Sequence, residues 1–245
     1  MNLKELIVWR QETAVLNVED RLKWISERLP GQVVFASALG VEDQVIADFI
    51  ARLRLDIPVI TLDTGRLFDE TYTLLQKTEA RYGIRFRVMF PDRDAVESMV
   101  VANGINLFRE SVEKRKLCCR IRKIEPLRRA LAGFKGWICG LRRDQSVTRS
   151  DVTTVDWDDE NHIFKFNPLA DWAESQVWEY IGRHDVPYND LHDRGFPSIG
   201  CACCTRAISR TEEVRAGRWW WEQPEQKECG LHWVDGKPGK GGRRE

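Results

Sequence analysis

Val33-Val-Phe-Ala-Ser-Ala-Leu-Gly-Val-Glu-Asp43 decides the fold class: an apolar run fit for a buried strand (33 to 36) passes through the small-residue turn Ser37-Ala-Leu-Gly40 into a helix-forming stretch from about Glu42 to Arg54. The same unit follows twice. Strand Val59-Ile-Thr-Leu62, turn Asp63-Thr-Gly65 and a helix over about 67 to 82 form the second; strand Phe86-Arg-Val-Met-Phe90 and a helix over about 94 to 103 form the third. Such alternation predicts an α/β fold with a mostly parallel sheet and helices on both faces.

Outward from this core, residues 3 to 29 read as one or two amphipathic helices, with Leu6, Trp9, Leu16, Leu22, Trp24 and Ile25 as apolar positions. A helical stretch over about 116 to 132, kinked or restarted at Pro126, feeds the strand Gly136-Trp-Ile-Cys-Gly140. Beyond Arg149 the chain becomes irregular, with a strand near 162 to 166 and a helix from about Glu174 to His184. One domain over 1–232 is expected, with a mobile catalytic segment at about 220 to 232 and a disordered tail over 233–245.

The chain has 245 residues, 42% of them apolar, and equal numbers of basic and acidic residues, 38 each. This balance gives no reason to expect a nucleic-acid or membrane surface. No stretch is long enough to cross a bilayer, and the first residues carry no export signal, so a cytoplasmic setting is expected. A homo-oligomer is compatible with the sequence. Seven cysteines in a reducing compartment point to metal binding or catalysis rather than disulfides.

In an open parallel sheet, ligands bind beyond the carboxyl ends of the strands, so the loops at 37–43, 63–65 and 140–149 should share one crevice. Ser37 and Gly40 sit where backbone amides at a helix start could cradle an anion. The loop Gly140-Leu-Arg-Arg-Asp-Gln-Ser-Val-Thr-Arg149 adds three arginines suited to phosphate. Adjacent Cys118 and Cys119, with Cys201 and Cys204 spaced C-x-x-C, could bring four thiolates to one metal centre. Zinc and a [4Fe-4S] cluster both accept such a set; the adjacent pair favours the cluster, since its ligands can go to different irons. Cys203 and Cys139 read as packed, inert thiols. Cys229, on the polar segment Glu228-Cys-Gly-Leu-His232, reads as a reactive thiol able to reach a basic crevice.

Together, Ser37-Ala-Leu-Gly-Val-Glu-Asp43, Leu62-Asp-Thr-Gly65 with Glu70-Thr-Tyr72, Cys118-Cys119 with Arg120-Ile-Arg-Lys123, the 140–149 loop, Gly200-Cys-x-x-Cys-Thr205, Arg215-Ala-Gly-Arg218 and Glu228-Cys-Gly-Leu-His232 resemble the thioredoxin-dependent phosphosulfate reductases, specifically the cluster-containing adenylylsulfate (APS) reductases of assimilatory sulfate reduction. The resemblance implies an adenine-nucleotide α-hydrolase-like fold. It implies that Ser37, Gly40 and Gly140 line the nucleotide pocket, and that Lys123, Arg149, Arg215 and Arg218 surround phosphate and sulfate. It further implies that Cys118, Cys119, Cys201 and Cys204 hold a [4Fe-4S] cluster. Cys229 would take the sulfonyl group, expelling AMP, and a separate thioredoxin or glutaredoxin would release sulfite. Lys123, four residues after Cys119, would lie between cluster and substrate if the stretch is helical.

The family more usually has proline before the last ligand, where this chain has Cys203. Other readings are use of the 3′-phosphorylated nucleotide (PAPS) or of both nucleotides, an ATP-pyrophosphatase-type tRNA-modifying enzyme, and a non-catalytic zinc module. Ser37-Ala-Leu-Gly-Val-Glu-Asp43 lacks the Ser-Gly-Gly-x-Asp-Ser pattern of the pyrophosphatases.

Overall fold

The structure, a computed structural model, describes residues 3–145, 149–209, 211–223, 233–234 and 237–238. Two amino-terminal helices, α1 (Leu3–Ala14) and α2 (Val18–Arg28), precede strand β1 (Val33–Ser37). The Asn17 side chain accepts a hydrogen bond from the Asp20 amide and so starts α2 as a separate helix. Then follow α3 (Val41–Arg52), β2 (Val59–Leu62), α4 (Asp69–Tyr82), β3 (Phe86–Met89) and α5 (Arg93–Asn103). Gly83, at φ 63°, ends α4 in the left-handed conformation that glycine tolerates.

The stretch expected at 116 to 132 is longer and broken into three. Helix α6 (Val112–Cys119) starts early because the Ser111 hydroxyl caps the Lys114 amide at 3.2 Å. A π-helical segment occupies Arg120–Ile124, and α7 runs over Glu125–Leu131. Pro126 supplies the reason: its ring cannot sit beneath the carbonyl four residues back, and widening the turn relieves the conflict. Strands β4 (Gly136–Ile138), β5 (Val155–Asp158) and β6 (Ile163–Phe166) and helix α8 (Glu174–His184) complete the main elements. Beyond them, β7 (Trp233–Val234) pairs antiparallel with β8 (Lys237–Pro238).

The main sheet has the order β3-β2-β1-β4-β6-β5. All its neighbours are parallel except β5, which pairs antiparallel with β6. That edge strand was not legible in the sequence: of Val155-Asp-Trp-Asp158 only Val155 is buried, too little for an alternating signal. Phe35, Val33 and Ile138 face one core with α1, α2, α3 and α8, while Val34, Ile60 and Trp137 face a second with α7. Helices therefore cover both faces, as expected. The strand order reverses between β1 and β4, the place where open α/β sheets bind ligands. Among the described residues, no helix is long and apolar enough to cross a membrane.

Candidate active site

A cavity of about 270 Å³ opens at that reversal point. Its walls include Ser37, Gly40, Lys123, Gly140, Arg149, Arg215 and Arg218, so the structure brings together all seven residues expected to bind nucleotide, phosphate and sulfate. Cys229 and His232 lie outside the described residues.

The loop after β1 is closed on itself. The Leu39 amide donates to Ser37 Oγ at 3.1 Å, and the Ala38 and Gly40 amides donate to Asp43 Oδ2 at 2.8 and 3.2 Å. Asp43 also packs against Gly140, whose backbone offsets part of the burial cost of its charge. These donors were expected to face an anion; the carboxylate three residues into α3 takes them instead. Ser37 and Gly40 thus shape the wall, and the positive charge comes from side chains. Gly140 has no latitude here, because a Cβ on it would stand 2.5 Å from Asp43 Oδ1 and 2.9 Å from Glu42 Cβ.

Burial, with the Glu42 carboxylate nearby, pushes the Asp43 pKa from 3.8 to about 7. Between these values the folded chain holds a proton that the unfolded chain has released, so the contribution of Asp43 to stability is greatest below pH 3.8 and declines as pH rises through about 7. Asp43→Asn removes that titration. Denaturant unfolding at about pH 5 and about pH 8 should therefore show the variant gaining on wild type as pH rises. A difference that does not change with pH would contradict the raised pKa.

The three arginines of the 140–149 loop have separate fates. Arg142 is buried and bonded to Glu42, with Nε 2.9 Å from Oε1. Arg143 donates to the Val152 carbonyl at 2.7 Å. Arg149 lines the cavity, with a guanidinium nitrogen 2.5 Å from Gln145 Oε1. Arg218 also lines the cavity, 4.7 Å from the Trp219 ring centre and bonded to the Ile199 carbonyl at 3.2 Å. A Cβ at 200 would lie 2.3 Å from the Arg218 guanidinium, so a side chain there would push that guanidinium out of this position.

Behind this wall lies the cysteine centre. Cys118 and Cys119 close α6, and Cys201, Cys203 and Cys204 come from a turn of 3-10 helix; all five line a second, smaller cavity with Arg66, Arg115, Arg122, Lys123, Arg218 and Trp219. Lys123, Arg218 and Trp219 border both cavities. The π-helical turn therefore does not remove Lys123 from the position between the two sites that a regular helical spacing suggested. Thr64 makes a further link: its hydroxyl is 3.3 Å from Cys201 Sγ, and its carbonyl accepts from Arg122 at 2.7 Å.

Burial raises the pKa of the Cys118 thiol. Cys204 is raised by its hydrogen bond with Cys203, 3.8 Å away, and then by burial. Cys203, expected as a bystander, thus shares the space with the four proposed ligands. Among the described residues, no three His, Cys, Asp or Glu side chains are grouped to hold a metal ion as they stand. The surroundings nevertheless suit an anionic group. Arg122 Nε, Arg218 Nε and Trp219 Nε1 are buried donors without a protein acceptor, and each belongs to a residue lining the sulfur cavity. Cys139 is different: it bonds Asn167 Oδ1 at 3.1 Å, and burial pushes its thiol up to about 11, which fits the inert role expected.

Several cavity residues were missed. His192 lines the cavity with a buried Nε2 that has no protein partner, and burial lowers its pKa. Its ring meets Trp178 edge-on at 5.4 Å. Nothing in the irregular stretch around His192 signals a site; the structure brings it beside Glu42, whose charge acts on it.

Comparison with other proteins agrees with this architecture. Residues 32–207 match the family model described as the phosphoadenosine phosphosulfate reductase domain. The chain is 54% identical over 200 residues to a protein named adenosine 5'-phosphosulfate reductase from Allochromatium vinosum, a match covering 82% of this chain and 78% of that one. The crystal structure of phosphoadenylyl-sulfate (PAPS) reductase from Candida auris, a phosphate complex, matches with a TM-score of 0.72 and 26% identity, covering 82% of this chain and 96% of that chain. FMN adenylyltransferase from Candida glabrata shares the fold alone, with a TM-score of 0.54 and 17% identity over 88% of this chain and 73% of that one. The family match spans the sheet from β1 to β6 and both cysteine pairs, and on these grounds the chain belongs to the phosphoadenosine phosphosulfate reductase family.

Proposed function

We propose that this chain reduces APS to sulfite and AMP in sulfate assimilation, through an S-sulfonate on Cys229. The observation that carries the reading is the shared wall: a cation-lined cavity at the sheet reversal and a five-cysteine centre meet at Lys123, Arg218 and Trp219. Relatives at about half identity are named for the APS reaction, which favours APS over PAPS.

In this reading the adenosine end rests against the loops at 37–43 and 140–142, and Lys123, Arg149, Arg215 and Arg218 hold the phosphosulfate. The Cys229 thiolate attacks the sulfate sulfur, forming a sulfur–sulfur bond. The bond from sulfur to the bridging oxygen breaks, and its electron pair leaves on the AMP phosphate, where the cations stabilise the growing charge. A thiol of thioredoxin or glutaredoxin then attacks Cys229 Sγ and expels sulfite; its second thiol resolves the mixed disulfide, so two electrons enter from the dithiol. This chemistry fits a cytoplasmic setting, where such dithiols are kept reduced.

Cys118, Cys119, Cys201 and Cys204 would hold a [4Fe-4S] cluster, with Arg122, Arg218 and Trp219 supplying buried donors around it. When bound, the cluster supplies a compact negative charge near the cations that face the substrate. Lys123 and Arg218 then serve both sides of the wall, which ties the order of the anion site to the integrity of the cysteine centre.

Incubating the loaded protein with APS and no reductant should leave a sulfonate mass adduct that maps to Cys229 while AMP appears in equal amount. Offering PAPS in competition should barely slow the labelling. Absence of the adduct sinks the mechanism, and equal use of the two nucleotides sinks the choice of APS.

A further inference from the structure

Gln145 is half-buried at the end of a short 3-10 turn, four residues before Arg149, and both ends of its amide are engaged. Its Nε2 donates to the Gly140 carbonyl at 3.1 Å. Its Oε1 accepts from the Arg142 amide at 3.2 Å and from the Arg149 guanidinium at 2.5 Å. Gly140 is itself fixed, because its lack of a side chain lets it pack directly against Asp43 and Glu42. A continuous series of contacts therefore runs from the first turn of α3 through Gly140, just after β4, to a cation on the cavity wall.

We propose that Gln145 is a positioning residue: anchored by Gly140 and Asp43, it aims the Arg149 guanidinium at the phosphate of the bound nucleotide. The inference rests on the reading of the cavity as an adenylate site. Glutamine supplies both a donor for Gly140 and an acceptor for Arg142 and Arg149. Glutamate would lose the donor to Gly140, asparagine would fall one methylene short, and leucine would lose every polar contact. An arginine on a loop loses several rotatable bonds of freedom when it grips a phosphate. Holding it in place beforehand removes part of that loss, an effect of up to about tenfold in affinity for one long side chain.

The test uses the protein with its cysteine centre loaded, and AMP and adenosine as probes, in titration calorimetry. They differ by the group that Arg149 is argued to meet. Wild type should bind AMP more tightly than adenosine. Gln145→Leu should weaken AMP about tenfold more than it weakens adenosine. In an Arg149→Ala background, the same substitution should add little, because the residue it positions is gone.

Unchanged AMP affinity in Gln145→Leu overturns the proposal, as does equal weakening of AMP and adenosine, which would mean general loosening of the loop. Full additivity with Arg149→Ala overturns it too. If the leucine chain does not fold, Gln145→Met, close in length and volume, is judged by the same outcomes. A wild-type protein that binds AMP no better than adenosine would instead overturn the adenylate reading itself, and the role of Gln145 with it.

Discussion

Cys229→Ser should bind AMP as tightly as wild type and release sulfite at least about 10³-fold more slowly, because removing a covalent nucleophile abolishes the step on which later ones depend. A thiol with a pKa near 8.5 is already partly ionised at neutral pH, and neighbouring cations increase that fraction; a serine hydroxyl has no comparable anionic form. A sulfur–sulfur bond can also be opened by an incoming thiol, whereas an oxygen–sulfur ester on the substituted hydroxyl would give thioredoxin no sulfur to attack. The variant should therefore fail both to form the adduct and to turn over. Sulfite release at the wild-type rate would require another nucleophile. Cys203 would be the first to test, since it lines the centre beside the shared wall.

The parallel sheet and the converging loops were legible because their signals are local. Apolar runs of four residues ending in Ser37 to Gly40 or Asp63 to Gly65 fix strand ends, and strand ends fix the crevice. The four paired cysteines were legible because their spacing is itself chemical information. The break at 120–124 was visible only as a conflict around Pro126; whether the chain would kink, restart or widen there was not, and it widens where the segment meets α5. The charges were least legible. Nothing local tells that Arg142 will be neutralised by Glu42, a hundred residues earlier, while Arg149 lines the cavity on the Gln145 side chain. In the same way nothing local tells that Asp43, in the first turn of α3, will hold the loop after β1 and pack against Gly140.

Arg115→Met should lower the unfolding free energy by about 3–5 kcal/mol, since it leaves the Glu222 carboxylate buried without its cation. Both side chains of this pair are withdrawn from solvent, at 0% and 3% exposure. The contact is bidentate, with Arg115 Nε 2.9 Å from Oε1 and its second guanidinium nitrogen 2.7 Å from Oε2. The guanidinium also lies 4.7 Å from the Trp219 ring centre. The pair thus joins α6, three residues before Cys118, to the chain seven residues before Cys229. For a protein of this size the loss corresponds to a melting temperature lower by roughly 10 °C. The double variant Arg115→Met with Glu222→Leu separates charge from packing, because well-packed apolar side chains of similar volume often match or exceed a buried ion pair. Its stability should recover most of the loss, as read from thermal unfolding of the loaded protein. A double variant as unstable as the single one would mean that the charges themselves are needed there, and the cysteine cavity that Arg115 also lines would be the reason to pursue.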